Sequence, residues 1–475
     1  MIKNKLIVDC DKVVLLFPLA LLIIGNMMQE TDLIIWALII QILFLIGLCI
    51  NSFYRKVALA FFYVCIFTFL TGGILIEYFR QGDSWMRGFT VKEYITACNI
   101  LYLTYLFLWL GYNWRIRFSF SQYKTSGLRK FGNKVFDRNF DRRLIQVVSF
   151  WMLFGSTLPL AAFNIIKLRY AMAYGYMSLY TTYADPGWSF RLLYVNQVSL
   201  FISLAAKPPK WRMYACFALG LINPAIEFMQ GARGAIVTQM LFIVFYLYIY
   251  EDMRELNVSE AKHKRKFRCL AILAVIIGAI GLPLLNIYGI TRAGIEYTGA
   301  SSGVEGMIGF FEQQGFSFSL IGYAVRYKGK LPQILYSVGG MFDLFVKPEG
   351  FGGLEDIALK SHSFGNAITY ITSKDAYFNG FGMGSSYVAE IFYDFGYVGV
   401  VVVNFFLGRF FNYMMDWKKR GILGYAACFF LYRYFLGMPR GAFAEPFQRL
   451  MAKTTILIFL IIFGLSYSYQ AKMES

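Results

Sequence analysis

Two carboxylates four residues apart, Glu390 and Asp394, stand near the start of a long apolar run in NGFGMGSSYVAEIFYDFGYVGVVVV. At that spacing both lie on one face of a helix. A carboxylate set among hydrocarbon is costly unless it faces protein or water. The pair therefore predicts a wet cavity beside this helix. Partial burial raises a carboxylate pKa, so either group could deprotonate a hydroxyl near neutral pH. A structural role fits them equally well: pairing with Arg440 or Arg449 so that a later turn can pack. His362, in Lys360-Ser361-His362-Ser363, is a third candidate acid–base group, although a lone loop histidine is more often structural. Glu445, in AFAEPFQR, is a further carboxylate of the same kind.

Four arginines form the second constellation: Arg233 in the turn GARG, Arg292 just past a span, Arg440 in the turn PRG, and Arg449. Arginine's planar fork grips phosphate oxygens at two points and keeps its charge in a low dielectric. Glycines beside Arg233 and Arg440 would let backbone amides approach an anion. Each arginine alone could simply snorkel to the membrane surface. Four at one depth point to an anion anchored there, such as a lipid-linked phosphate or pyrophosphate.

The elements that must position these groups are apolar helices. The 475 residues are 58% hydrophobic and 19% aromatic, with a mean hydropathy of +0.52. Runs of spanning length occur throughout, so the fold class is an all-α polytopic membrane protein. We place twelve transmembrane helices at about 12–28, 33–53, 57–79, 94–114, 144–166, 190–206, 213–230, 235–250, 269–290, 386–415, 422–438 and 450–467. The formal charge of +18 sits mostly in the loops after spans 2, 4, 6, 8 and 10, most heavily in 115–143. Twelve spans with both termini cytoplasmic put all five basic loops inside. The chain then reads as a single integral membrane domain, 1–475, with 115–143 as a basic cytoplasmic loop. The stretch 291–385, between spans 9 and 10, becomes one long extracytoplasmic loop. Within it, Gly306–Tyr327 and Leu331–Val346 read as amphipathic helices at the outer interface, with Pro332 in a first turn and Gly339-Gly340 at a bend. The N-terminal segment reads as a retained first helix rather than a cleaved signal peptide.

The same pattern excludes several functions. The positive charge follows the orientation rule, so no nucleic-acid partner is inferred. The seven cysteines fall in or beside apolar runs without CxxC pairs and read as packing residues. Only two histidines occur and no zinc spacing is present, so no metal is expected. There is no phosphate-binding glycine loop for a nucleotide. The aromatic segment Lys167–Trp188, with Tyr170, Tyr174, Tyr176, Tyr180, Tyr183 and Trp188, could stack on sugar rings or form an interfacial belt.

The GARG turn, the long outer region, GFGMGSSYVAEIFYDFGYVGV and the final turn GMPRGAFAEPFQR together resemble the O-antigen polysaccharide polymerases of the Wzy type. The resemblance implies a GT-C-like glycosyltransferase working outside the bacterial cytoplasmic (inner) membrane without cofactor or metal. It implies undecaprenyl-pyrophosphate-linked oligosaccharides as donor and acceptor, the lipid bilayer as surroundings, and a chain-length regulator and a flippase as pathway partners. Carried over by residue, Arg233 and Arg440 match the family's arginine turns and Arg292 a looser counterpart. With Arg449 they would bind pyrophosphate, while Gly382, Gly384, Ser385, Ser386 and Tyr387 would meet the glycan. An O-antigen ligase and a lipid-linked-oligosaccharide flippase remain rivals. A flippase should carry its charges through the membrane centre, whereas here they gather at one boundary.

Overall fold

The computed structural model describes residues 14–80, 88–114, 140–176, 178–254, 259–276, 281–285, 287, 303–343, 354–415 and 421–474. Arg292, Cys10, most of the basic loop (115–139) and parts of the long loop (291–302 and 344–353) lie outside them.

Among the described residues all regular structure is helical. In chain order, leaving aside a single turn at Ser178–Thr181, the described helices begin with α1 (Leu16–Met28), α2 (Thr31–Asn51), α3 (Phe53–Arg80), α4 (Val91–Asn113), α5 (Arg142–Tyr174), α6 (Gly187–Ala205), α7 (Lys210–Gln230), α8 (Arg233–Met253) and α9 (Glu260–Ile276). Then follow α10 (Gly303–Arg326), α11 (Tyr336–Asp343), α12 (Leu354–Lys360), α13 (Phe364–Thr372), α14 (Lys374–Phe378), α15 (Tyr387–Met414), α16 (Ile422–Phe435), α17 (Glu445–Met451) and α18 (Lys453–Glu474). Seven of them, α2, α3, α4, α5, α8, α15 and α18, are long and apolar enough to cross a membrane. The chain is thus a multi-pass membrane protein. The expected spans 12–28, 190–206, 213–230 and 422–438 overlap helices that are shorter or carry more polar residues, while the expected span 269–290 shares only 269–276 with α9 and lies partly outside the described residues.

Local sequence fixes several helix starts. Thr90 and Glu93 form a reciprocal capping box at α4, with Thr90 N donating to Glu93 Oε2 at 2.7 Å. Asp141 caps α5 by accepting from the Arg143 amide at 2.7 Å. Such caps satisfy amides that have no partner within their own helix.

Glycines set where the helices meet. A Cβ on Gly111 of α4 would lie 2.0 Å from the Phe405 carbonyl oxygen, and one on Gly408 of α15 would lie 2.2 Å from that of Leu108. The α4 and α15 backbones therefore touch, which is how helices gain packing where lipid offers no hydrophobic drive. Gly408→Ala should cost about 1–3 kcal/mol, seen as a lower melting midpoint of the detergent-solubilised protein. An unchanged midpoint would mean that the crossing is looser than described.

The expected single span over 386–415 is a broken helix. Gly396 adopts φ +62°, ψ −152° inside α15. The Tyr387 hydroxyl donates to Asn404 Oδ1 at 2.9 Å, yet in a straight helix those residues would be about 25 Å apart. Gly399 likewise lies against Ile391 and Phe395. The arm 387–395 thus folds back along 397–404. The second arm, 397–414, keeps a rise of about 27 Å, close to the ~30 Å hydrocarbon thickness. Glu390 and Asp394 ride on the first arm, not on a through-going helix.

The long loop also packs against the helix bundle. The α10 helix matches the expected Gly306–Tyr327, but Gly315, Ser317, Phe318, Leu320 and Ile321 on it are buried. Gly315 meets Gly73 of α3, where either added Cβ would fall within 2.6 Å of the other's Cα. The second expected helix starts at Tyr336, not near Pro332, because Asp394 caps it there. Gly339 and Gly340 lie inside this α11 helix rather than at a bend. Five cysteines among the described residues are buried and pack in the core, as expected, while Cys269 is exposed.

Candidate active site

A cavity of about 380 Å³ opens between α11, the start of α13, the first arm of α15 and α17. His362, Asp343, Ser385, Glu390, Glu445 and Arg449 line it, and Tyr194 of α6 closes one side. Five of these are groups read from the sequence as candidates, His362, Ser385, Glu390, Glu445 and Arg449, brought together from three separate segments.

His362 sits just before α13, whose first turn is capped by Ser363. Its Nδ1 lies 2.7 Å from Asp343 Oδ1, and its backbone amide donates to Asp343 Oδ2 at 3.2 Å. An ionised carboxylate only accepts, so Nδ1 carries the proton. Nε2 is left with a lone pair, the arrangement of a general base oriented by an acid. Gly339 makes room for the ring: a Cβ there would fall 2.1 Å from His362 Cδ2. Its neighbour Gly340 accepts a bond from Gln448 Nε2, tying α11 to α17. Gly339→Ala should displace the imidazole and cut turnover about a hundredfold while the protein stays in the membrane. Near-native turnover in that variant would show that the ring position is not critical.

Glu390 is only 1% exposed. It accepts from Ser385 Oγ at 2.6 Å and from the Phe443 amide at 2.8 Å. The carboxylate thus fastens the glycine–serine entry to the turn that follows Arg440. The sequence left open whether Glu390 pairs with Arg440 or Arg449, and the partners are these neutral groups instead. Asp394 lies four residues on but serves another purpose. Its oxygens accept from the Tyr336 amide at 3.0 Å, the Ser337 amide at 2.7 Å and the Ser337 hydroxyl. These bonds cap α11 and offset the cost of Leu335 at φ +60° just before it. Asp394 therefore holds the helix that carries Asp343.

Arg449 projects from α17 with Nε 2.9 Å from Glu445 Oε1. Its guanidinium carbon stands 4.9 Å from the centre of the Tyr434 ring. Burial works against the charge, but Tyr434 and Glu445 outweigh it and push the pKa up. A permanent cation is thus held on the cavity wall, with Glu445 as its resting partner.

Arg233 opens α8 and donates to the Leu285 carbonyl at 2.7 Å. Arg440 ends the 3-10 turn Met438–Arg440, is exposed, and bonds Gln314 of α10. Neither lines the cavity, although Ala442, two residues past Arg440, does. Gly384, at φ +75°, fits against Gly365 of α13, where a Cβ would meet the Gly384 oxygen at 2.3 Å. Gly382 is exposed with open space around it. Ser386 is buried with its hydroxyl unpartnered. Tyr387 is buried and bonded to Asn404, facing the bundle.

Asp343 was missed by the sequence reading. Its one signal was position: it follows Gly339 by four residues, on the same face of a helix. Arg433 was hidden in a span. It is 9% exposed and donates to Gln239 Oε1 at 3.0 Å and to the Ala235 carbonyl at 2.9 Å.

Among known protein families, residues 12–472 match the one described as O-antigen polysaccharide polymerase Wzy. No curated protein matches the chain, and no solved structure does.

Proposed function

The chain belongs to the O-antigen polysaccharide polymerase Wzy family, and from that premise we propose that it joins undecaprenyl-pyrophosphate-linked oligosaccharide repeats on the outer face of the cytoplasmic membrane. Membership implies a glycosyltransferase-type polymerase acting on lipid-linked substrates within a bilayer. The outward placement rests on the five basic loops, which a twelve-span chain gathers on the cytoplasmic side.

In this reading an acceptor sugar hydroxyl donates to His362 Nε2 and passes it the proton. The oxygen attacks the anomeric carbon of the donor glycan, forming the new glycosidic bond. The bond from that carbon to the pyrophosphate oxygen breaks, and the lipid diphosphate leaves with the electron pair. Asp343 steadies the imidazolium. Arg449 takes up the departing charge in a site that partly excludes water, where a fixed cation acts most strongly. Arg440 and Arg233 would bind the diphosphate outside the cavity, and Arg292 is assigned the same role from its sequence position alone. Glu390 positions the entry and the final turn, and no metal is assigned a step.

The observation that carries the reading is the meeting of the Asp343–His362 pair and the Arg449 guanidinium on one cavity. The test is to supply the purified protein with its cognate lipid-pyrophosphate-linked repeat. A ladder of longer glycans is expected. A product of unchanged length on a different acceptor would identify a ligase. Lipid carried across vesicles without a new glycosidic bond would identify a flippase.

A further inference from the structure

Helix α5 is 33 residues long, which at 1.5 Å per residue is about 50 Å. The hydrocarbon layer is only about 30 Å thick, and with the span expected at 144–166 the surplus length falls at the C-terminal end of α5. On that end and the segment after it, aromatic rings touch in an unbroken run. Ring centroids are 4.7 Å apart for Tyr174–Tyr170, 4.9 Å for Tyr170–Tyr183, 6.5 Å for Tyr183–Phe163 and 5.2 Å for Phe163–Trp188. Tyr174 is 70% exposed and Trp188 49%. Polar contacts brace the run: Tyr170 and Thr182 hydroxyls meet at 2.9 Å, and Lys167 Nζ lies 2.9 Å from Asp185. Lys167 also sits 5.7 Å from the Tyr183 ring centre.

The far end of this run leads to the cavity: Trp188 stands in the first turn of α6, the helix whose Tyr194 lines it. Rings that only anchor a protein in headgroups need neither touch one another nor lead anywhere. This run does both, and it offers hydroxyls beside its ring faces. A pyranose has the matching surface: C–H faces that suit the negative π face of an aromatic ring, edged by hydroxyls. We propose that the rings of Tyr174, Tyr170, Tyr183 and Trp188, backed by the buried Phe163, form a docking track for the growing glycan, separate from the reacting centre. The choice of glycan as occupant rests on the polymerase reading.

The test measures binding apart from coupling. The probe is the free oligosaccharide of two or more repeats, released from its lipid, read by saturation-transfer NMR on the full-length protein in nanodiscs. The Tyr170→Leu/Tyr174→Leu variant keeps an apolar surface but loses two ring faces. It is expected to bind about tenfold more weakly and to release shorter products. The Tyr170→Phe/Tyr174→Phe variant keeps the faces and should bind within about twofold of the native protein. Equal binding by the leucine variant overturns the track, as does equal loss in the phenylalanine variant. A native protein that binds no free glycan also overturns it. If the native protein binds glycan but builds no ladder, the track stands and the polymerase reading falls.

Discussion

His362→Gln lowers the rate of repeat-unit coupling about a thousandfold, with the protein still present in the membrane fraction. Glutamine retains hydrogen bonding but cannot take up a proton, so the acceptor hydroxyl must attack unassisted. Asp343→Asn should fall short of that loss. It keeps the volume beside Nδ1 but removes the charge that favours the imidazolium. Both rates are read from the initial slope of ladder formation at saturating lipid-linked substrate. Full activity in His362→Gln would remove the imidazole from the chemistry, and Glu390 would be the next carboxylate to examine at the same wall.

Arg449→Gln is expected to slow coupling by about a hundredfold to a thousandfold. The loss should appear mainly in kcat, because the charge on the leaving diphosphate grows as the bond breaks. Arg449→Lys should recover only part of the rate, since an ammonium lacks the planar fork that fits phosphate oxygens. The structural rival is that Arg449 merely neutralises Glu445. The double variant Arg449→Gln/Glu445→Gln separates the two. If it regains native turnover, the guanidinium acted only as a counter-ion. If it stays slow, the cation is needed by the substrate.

The sequence was most informative where the physics is local. Helix ends near Met28, Gln230 and Met414 fell within a residue or two of the reading, because hydropathy, caps and breakers act over a few neighbouring residues. The long loop was harder. Its first helix, Gly303–Arg326, carries glycines and serines that look interfacial in sequence. They are buried because Gly315 meets Gly73 of a helix far away in the chain. Gly339-Gly340 was read as a bend, yet those glycines admit His362 on one side and α17 on the other. The spacing of Glu390 and Asp394 placed both on one helix, as observed, but it could not say which would face the cavity and which would cap α11.

By itself the sequence determined that this chain is helical, membrane-embedded and a member of a polymerase family. Those properties follow from the cost of placing polar groups in hydrocarbon and from motifs read within single segments. Only the tertiary structure decided that the chain reverses at Gly396, that Asp343 orients His362, and that Arg449 rather than Arg233 or Arg440 reaches the cavity. Each of these depends on which distant segments come within hydrogen-bond reach, and that is set by the packing of whole helices rather than by any one stretch of residues.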